Sequence, residues 1–258
     1  MRKNIFVLLF SMLFICACGT SSSGSDDSLD LKSSADGWEL SSSNVSCSSN
    51  EFGFSSSSFA LSSSEAFFED ERDHNVYKIT TIGTQTWMAE NLRYEVENSA
   101  CYASSADSCK KYGRNYTWCD AMNVSSVYQY SYFGYYMVRP HQGICPVGWH
   151  VPDSTEWNLL ISYVDDKNGE ESVGNSLKSK TGWAEGLAGS DMFGFSAIAA
   201  ASVSAYSQFN ENYTTFISSS DYSGSTGFHA YQLSDDMEAF GQSKGDTYYF
   251  YLRCLKDE

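Results

Sequence analysis

The sequence predicts an α+β domain. Three observations lead there: a strongly marked helix start at residues 152–157, strand-like alternation near both ends of the folded part, and a composition rich in Gly, Ser, Asn and Tyr with few long helical patterns. The 258 residues suffice for one good-sized domain with extensions. Only 19% are charged, yet acids outnumber bases 32 to 16, and the net charge of -16 disfavours nucleic acid or an anionic membrane surface as a partner. It suits a solvated acidic surface, with cation binding as the alternative.

At the N-terminus Arg2 and Lys3 precede an apolar run over residues 5–15, too short for a membrane span. Ile15-Cys16-Ala17-Cys18-Gly19 resembles the bacterial lipobox, in which an aliphatic residue and then a small one precede the modified cysteine. By that resemblance residues 1–17 are a lipoprotein signal peptide. Cys18 becomes the mature N-terminus, acylated on sulfur and amine with palmitate among its chains; an ordinary secretory peptide is the alternative. Acyl chains bury about 0.8 kcal/mol per CH₂, so such an anchor would hold the chain to a lipid bilayer. Gly19 is not the Asp that resembles an inner-membrane retention signal, which favours the outer membrane of the cell envelope, on either its periplasmic or its cell-surface face.

From residue 18 to 65 the chain is dominated by Ser. Such a segment cannot bury enough apolar surface to offset its ordering entropy, and reads as a flexible tether with a reach of roughly 40 Å. Cys47 is out of place there. The folded domain is expected over 66–258. Residues 74–80 alternate as a strand, 81–84 read as a turn and 85–88 as the return strand. Asp153 can cap a helix, with Glu156 reaching back as in a capping box, and Pro152 holds Val151 extended. Trp157, Leu160, Ile161 and Val164 then share one helical face, and Asp165-Asp166-Lys167-Asn168-Gly169 stops the helix. A shorter helix is expected within 172–179. Residues 246–255 alternate around Tyr248, Tyr249, Phe250 and Tyr251 and form the expected last strand, paired near the domain's start.

Several motifs follow one another in a fixed order. They are Val76-Tyr77-Lys78-Ile79, Gln85-Thr86-Trp87-Met88-Ala89-Glu90-Asn91-Leu92, Cys101-Tyr102, Cys109, Tyr112-Gly113-Arg114-Asn115-Tyr116-Thr117-Trp118, Gly143-Ile144-Cys145-Pro146, Gly148-Trp149-His150-Val151-Pro152, Phe193-Gly194-Phe195-Ser196-Ala197 and Leu252-Arg253-Cys254-Leu255-Lys256-Asp257. Over residues 74–257 the chain thereby resembles the Fibrobacter succinogenes major paralogous domain. Cys119, where that family usually has a small residue, departs from it. Trp149-His150-Val151-Pro152 with Glu156-Trp157, and Tyr251-Leu252-Arg253-Cys254, are also similar to the helix start and closing strand of the sulfatase-modifying-factor family. That similarity implies a C-type-lectin-like mixed fold, with few short helices, small antiparallel sheets and long loops.

Of eight cysteines, six remain once Cys16 leaves with the signal and Cys18 is acylated. An even number in an exported chain suggests disulfides, and six cysteines allow 15 pairings. The family resemblance singles out Cys101, Cys109, Cys145 and Cys254 as recurrent, implying Cys101–Cys109 across a short loop and Cys145–Cys254 between the helix start and the last strand. The two extras, Cys47 and Cys119, are expected to pair and pin part of the tether.

No residue set converges on catalysis. There is no nucleophile elbow, phosphate loop or dinucleotide fingerprint, and the four histidines at 74, 141, 150 and 229 are scattered. His150 is expected to pack or hydrogen-bond at the helix start. The sulfatase-modifying enzymes use a close cysteine pair near the C-terminus; beyond Cys145 this chain has only Cys254, which implies that their chemistry is absent. No CxxC and no paired His offers metal ligands, the calcium triplets of animal C-type lectins are missing, and no cofactor is expected. The acidic runs 165–171 and 235–236 could hold calcium through oxygens, with solvated loops as the alternative.

Loop aromatics are the remaining functional cue, above all the dense run over residues 128–136. Aromatic faces beside Asn, Ser and Gln suit sugar rings or protein partners, and otherwise pack the core. Tyr130, Tyr132, Tyr135 and Trp183 are the candidate ligand residues. The expected function is non-enzymatic recognition by an envelope lipoprotein, adhering to polysaccharide or another cell-surface ligand. An envelope structural or assembly protein with protein partners is the alternative, and an enzyme of the sulfatase-modifying-factor type the weakest reading.

Overall fold

The structure, a computed structural model, describes residues 65–133, 137–200, 212–222, 226–234, 236–243 and 249–258, with the backbone alone for 238–243. The expected signal peptide and tether, with Cys18 and Cys47, lie outside the described residues, as do Tyr135 and Asp235. The fold is α+β. Among the described residues no helix is long and apolar enough to cross a membrane.

Five strands form the first sheet, in the order β1-β2-β3-β10-β5, all antiparallel. They are β1 (Ala66–Glu69), β2 (Val76–Ile82), β3 (Gln85–Met88), β5 (Trp149–His150) and β10 (Leu255–Lys256). The β2–β3 hairpin is present as expected, but β2 starts at Val76 and runs on to Ile82, two residues into the expected turn. His74 has a left-handed backbone (φ 57°) and its N–H closes a turn onto Asp70 O, so it cannot extend the strand. Gly83 turns the hairpin at φ 63°, and a Cβ there would come within 2.9 Å of the Tyr163 ring.

The second sheet runs β4-β9-β6-β7-β8, from β4 (Asn115–Tyr116), β6 (Thr214–Asp221), β7 (Gly227–Leu233), β8 (Met237–Ser243) and β9 (Phe250–Tyr251). It corrects two expectations. The sheet is mixed rather than antiparallel, because β9 lies parallel to β6. The single last strand is also divided: after β9 the chain turns Arg253 inward and crosses to the first sheet as β10, which pairs with β3 and β5.

Four helices are described: α1 (Ala106–Tyr112), α2 (Trp118–Ala121), α3 (Ser154–Lys167) and α4 (Val173–Leu177). In α3 the capping box is complete. Asp153 Oδ1 accepts from the N–H groups of Thr155 (2.7 Å) and Glu156 (3.0 Å), and Glu156 Oε2 accepts from Asp153 N–H at 2.7 Å. Trp157, Leu160 and Val164 are fully buried and Ile161 packs at the margin. The helix ends at Lys167 with Asn168 as its C-cap, inside the run 165–169 expected to stop it. Ser172 caps α4 through Asn175 N–H, and Lys178, already extended, ends it.

Apolar burial falls into two clusters. One surrounds Tyr77, Trp118, Trp149 and Ile217 and includes Cys145, Cys254 and Cys119. The other centres on Trp157, which stacks on Phe216 (5.5 Å) and Tyr231 (5.1 Å) and tilts against Trp87 (4.7 Å).

Candidate functional site

The capping box that starts α3 also builds a polar cluster. β5 pairs with β10 so that His150 lies opposite Leu255, and this register brings Asp257 beside the imidazole. His150 Nδ1 is 2.7 Å from Asp257 Oδ1, and Nε2 is 2.8 Å from Glu156 Oε1, whose other oxygen caps the helix. Burial alone would depress the His150 pKa, but the bonds to Glu156 and Asp257 outweigh it and hold the pKa above its ordinary value. Below that raised pKa both ring nitrogens donate, one to each carboxylate. Asp153 extends the cluster by accepting from Arg139 Nη1 at 3.0 Å, and Arg139 also reaches Ser219 Oγ at 3.4 Å.

These groups line a cleft of about 560 Å³, walled by Arg139, His141, His150, Ser219, Asp257 and the exposed Leu159. The aromatic loop leads directly into it. Its 3₁₀ turn, Ser126–Tyr130, is capped by Ser125 through Val127 N–H. Phe133 is buried and pins the loop, packing on Tyr128 (4.5 Å), Trp118 (6.2 Å) and the cleft residue His141 (6.3 Å). With Phe133 turned inward, the loop displays Val127 (68% exposed), Tyr130 (67%), Tyr132 (42%) and Val138 (77%). Val138 immediately precedes Arg139. Two of the sequence-derived ligand residues, Tyr130 and Tyr132, are thus displayed on one loop, while Tyr135 lies outside the described residues.

Trp183 is placed otherwise. Its indole N–H donates to Ala197 O (2.9 Å) and Ser179 Oγ (3.2 Å), the Lys178 ammonium lies 5.2 Å from its ring, and it packs against the Trp157 cluster. Those contacts hold it half-buried against the core. Arg139 and Asp257 escaped the sequence reading as members of one site, since only the β5–β10 register brings Asp257 to His150.

The disulfides implied by the resemblance are present: Cys101–Cys109 (Cα–Cα 4.9 Å) and Cys145–Cys254 (5.9 Å), the second joining residues 109 apart. Cys119 is buried in the first core cluster, and its expected pairing with Cys47 reaches outside the described residues. Among those residues no group of three or more His, Cys, Asp or Glu converges as metal ligands. In the acidic run Glu171 is bound by Ser190 Oγ (2.6 Å), Asn175 Nδ2 (2.9 Å) and Ser176 Oγ (3.3 Å), which lower its pKa.

No curated protein and no solved structure matches the chain. The Fibrobacter succinogenes major domain matches residues 80–256, a stretch that holds both sheets from β3 onward, both disulfides and Arg139, His150 and Glu156 of the cleft, and the chain belongs to that family.

Proposed function

We propose that this chain is an envelope lipoprotein, anchored through Cys18 and a Ser-rich tether, that presents a non-enzymatic recognition domain for polysaccharide or another cell-surface ligand. One observation carries the reading: the aromatic segment turns its anchor Phe133 inward, against the cleft residue His141, and leaves Tyr130 and Tyr132 exposed. Flat aromatic faces next to hydroxyl, guanidinium and carboxylate groups suit the apolar face and the hydroxyl rim of a sugar ring. The His150 geometry supports binding over catalysis, since both ring nitrogens are engaged by carboxylates.

The test is binding of the full chain, purified in detergent, to insoluble and soluble neutral plant polysaccharides with and without calcium. Saturable binding is expected, weakened about tenfold or more in Tyr130→Ala/Tyr132→Ala, which removes two stacking faces. Absence of any neutral-glycan binding, together with specific capture of an envelope protein that the same variant loses, would favour the assembly reading. Val127 and Val138 offer the apolar area such a partner would use.

A further inference from the structure

A second surface differs from the rest of the domain in the sign of its charge. Two adjoining hollows of about 1100 and 400 Å³ share Glu90 and Arg93 in their walls. Residues 65–258 contain thirteen Lys and Arg and twenty-six Asp and Glu. Seven of the bases line the two hollows, against four of the acids. The local balance is therefore reversed on a chain of net charge -16. Distant acids do not cancel it, because charges more than about 8 Å apart are screened at physiological salt.

The bases differ in how they are committed. Arg93 binds Glu90 and Val76 O, Arg114 binds Glu95, and Lys78 binds Glu65. Lys110, Lys111 and Lys180 are exposed and enter no ion pair among the described residues. Lys110 and Lys111 close α1, where the helix dipole favours them, but Lys180 has no such reason to be there. Arg253 is an independent observation. It is fully buried in the wall of the smaller hollow and donates to neutral acceptors, Asn91 Oδ1 (3.0 Å), Ser196 O (3.1 Å) and Phe195 O, with no carboxylate in contact. Asp191 and Glu90 in the same lining offset its charge only in part and through space, and the remainder adds to the field of the lysines.

We propose that the two hollows form a binding groove for an acidic polysaccharide, a chain of uronic-acid residues whose carboxylates meet Lys110, Lys111 and Lys180. The interleaved acids favour this class over polyphosphate. Glu90 and Asp191 in the lining would repel a dense line of phosphates, but they can accept hydroxyl hydrogen bonds from sugars that carry one charge per ring. No residue of the tyrosine loop or its cleft is used, so this groove and the neutral-glycan reading stand or fall separately.

Affinity electrophoresis of the full chain in detergent, through gels carrying polygalacturonate or its methyl ester, tests the assignment. In Tyr130→Ala/Tyr132→Ala, which lacks the stacking faces of the neutral-glycan site, polygalacturonate should retard the protein, and the ester, with the same sugar and no charge, should do so about tenfold less. Lys110→Gln/Lys111→Gln/Lys180→Gln should weaken polygalacturonate binding about tenfold, as three exposed charge contacts each contribute modestly. Lys180→Glu alone should weaken it by a smaller factor. Unchanged melting temperatures show that the exposed lysines were not holding the fold. No retardation, equal retardation by the ester, or lysine variants that bind like the wild type would overturn the proposal. Equal affinity for single-stranded DNA would overturn the uronate class in favour of polyphosphate.

Discussion

His150 is a buried imidazole whose two nitrogens face Asp257 and Glu156. Its folded pKa lies above the ordinary 6.5, so the stabilisation from these bonds is complete below about pH 6.5 and is lost as pH rises through the folded value. Thermal unfolding between about pH 5 and 9 should therefore show a melting temperature that falls on the alkaline side. Asp257→Asn should lower stability by about 1–2 kcal/mol at the acid end and flatten that fall; parallel profiles for wild type and variant would contradict this. Arg253 carries the opposite burden. Burial pushes its pKa down to about 9, Asp191 and Glu90 only partly offset that, and at neutral pH it remains charged. It holds Asn91, Phe195 and Ser196 together and lies over the Phe195 ring at 4.3 Å. Arg253→Met fills the space but strands three acceptors, and should cost about 3 kcal/mol or more by urea unfolding. Arg253→Lys, lacking the planar fork, should recover only part.

Among the elements, α3 is the one whose chemistry is most local, and Asp153 is its pivot. Asp153→Ala should cost about 1–2 kcal/mol in urea unfolding, whereas Asp153→Asn, which still caps, should lose only a few tenths. The same locality explains why α3 and the β2–β3 hairpin were legible in the sequence. A capping box, a helical spacing of Trp157, Leu160 and Val164, and a Gly83 turn are all written within a few residues of the structure they make. β6 was not legible. It lies between β7 and β9 and is buried along almost its whole length, so Thr214-Thr215-Phe216-Ile217-Ser218-Ser219-Ser220 shows no alternation, and its serines read like a loop. The site was legible only in part. A dense aromatic run pointed to Tyr130 and Tyr132, but the density could not say that Phe133 turns inward, nor that Trp183 spends its indole on Ala197.

At the scale of the molecule, Cys145–Cys254 spans 109 residues inside the first core cluster and joins the chain before β5 to the crossover between β9 and β10. On the chain-entropy account, Cys145→Ser/Cys254→Ser should lose about 4–5 kcal/mol, and Cys101→Ser/Cys109→Ser, closing a short loop, only about 2–3 kcal/mol. Urea midpoints of the two double variants give the order directly, and the reverse order would mean that strain or residual structure in the unfolded chain dominates.

Residues 250–256 supply β9 to one sheet and β10 to the other, and every strand they pair with comes earlier in the chain. The second sheet lacks β9 until residue 251 is made, and the first lacks β10 until residue 256. A nascent chain therefore cannot complete either sheet before this segment is synthesised. For the exported lipoprotein proposed above this delay is useful. The chain reaches a translocation channel still open, and Cys145 first meets Cys254 in the oxidising compartment beyond it.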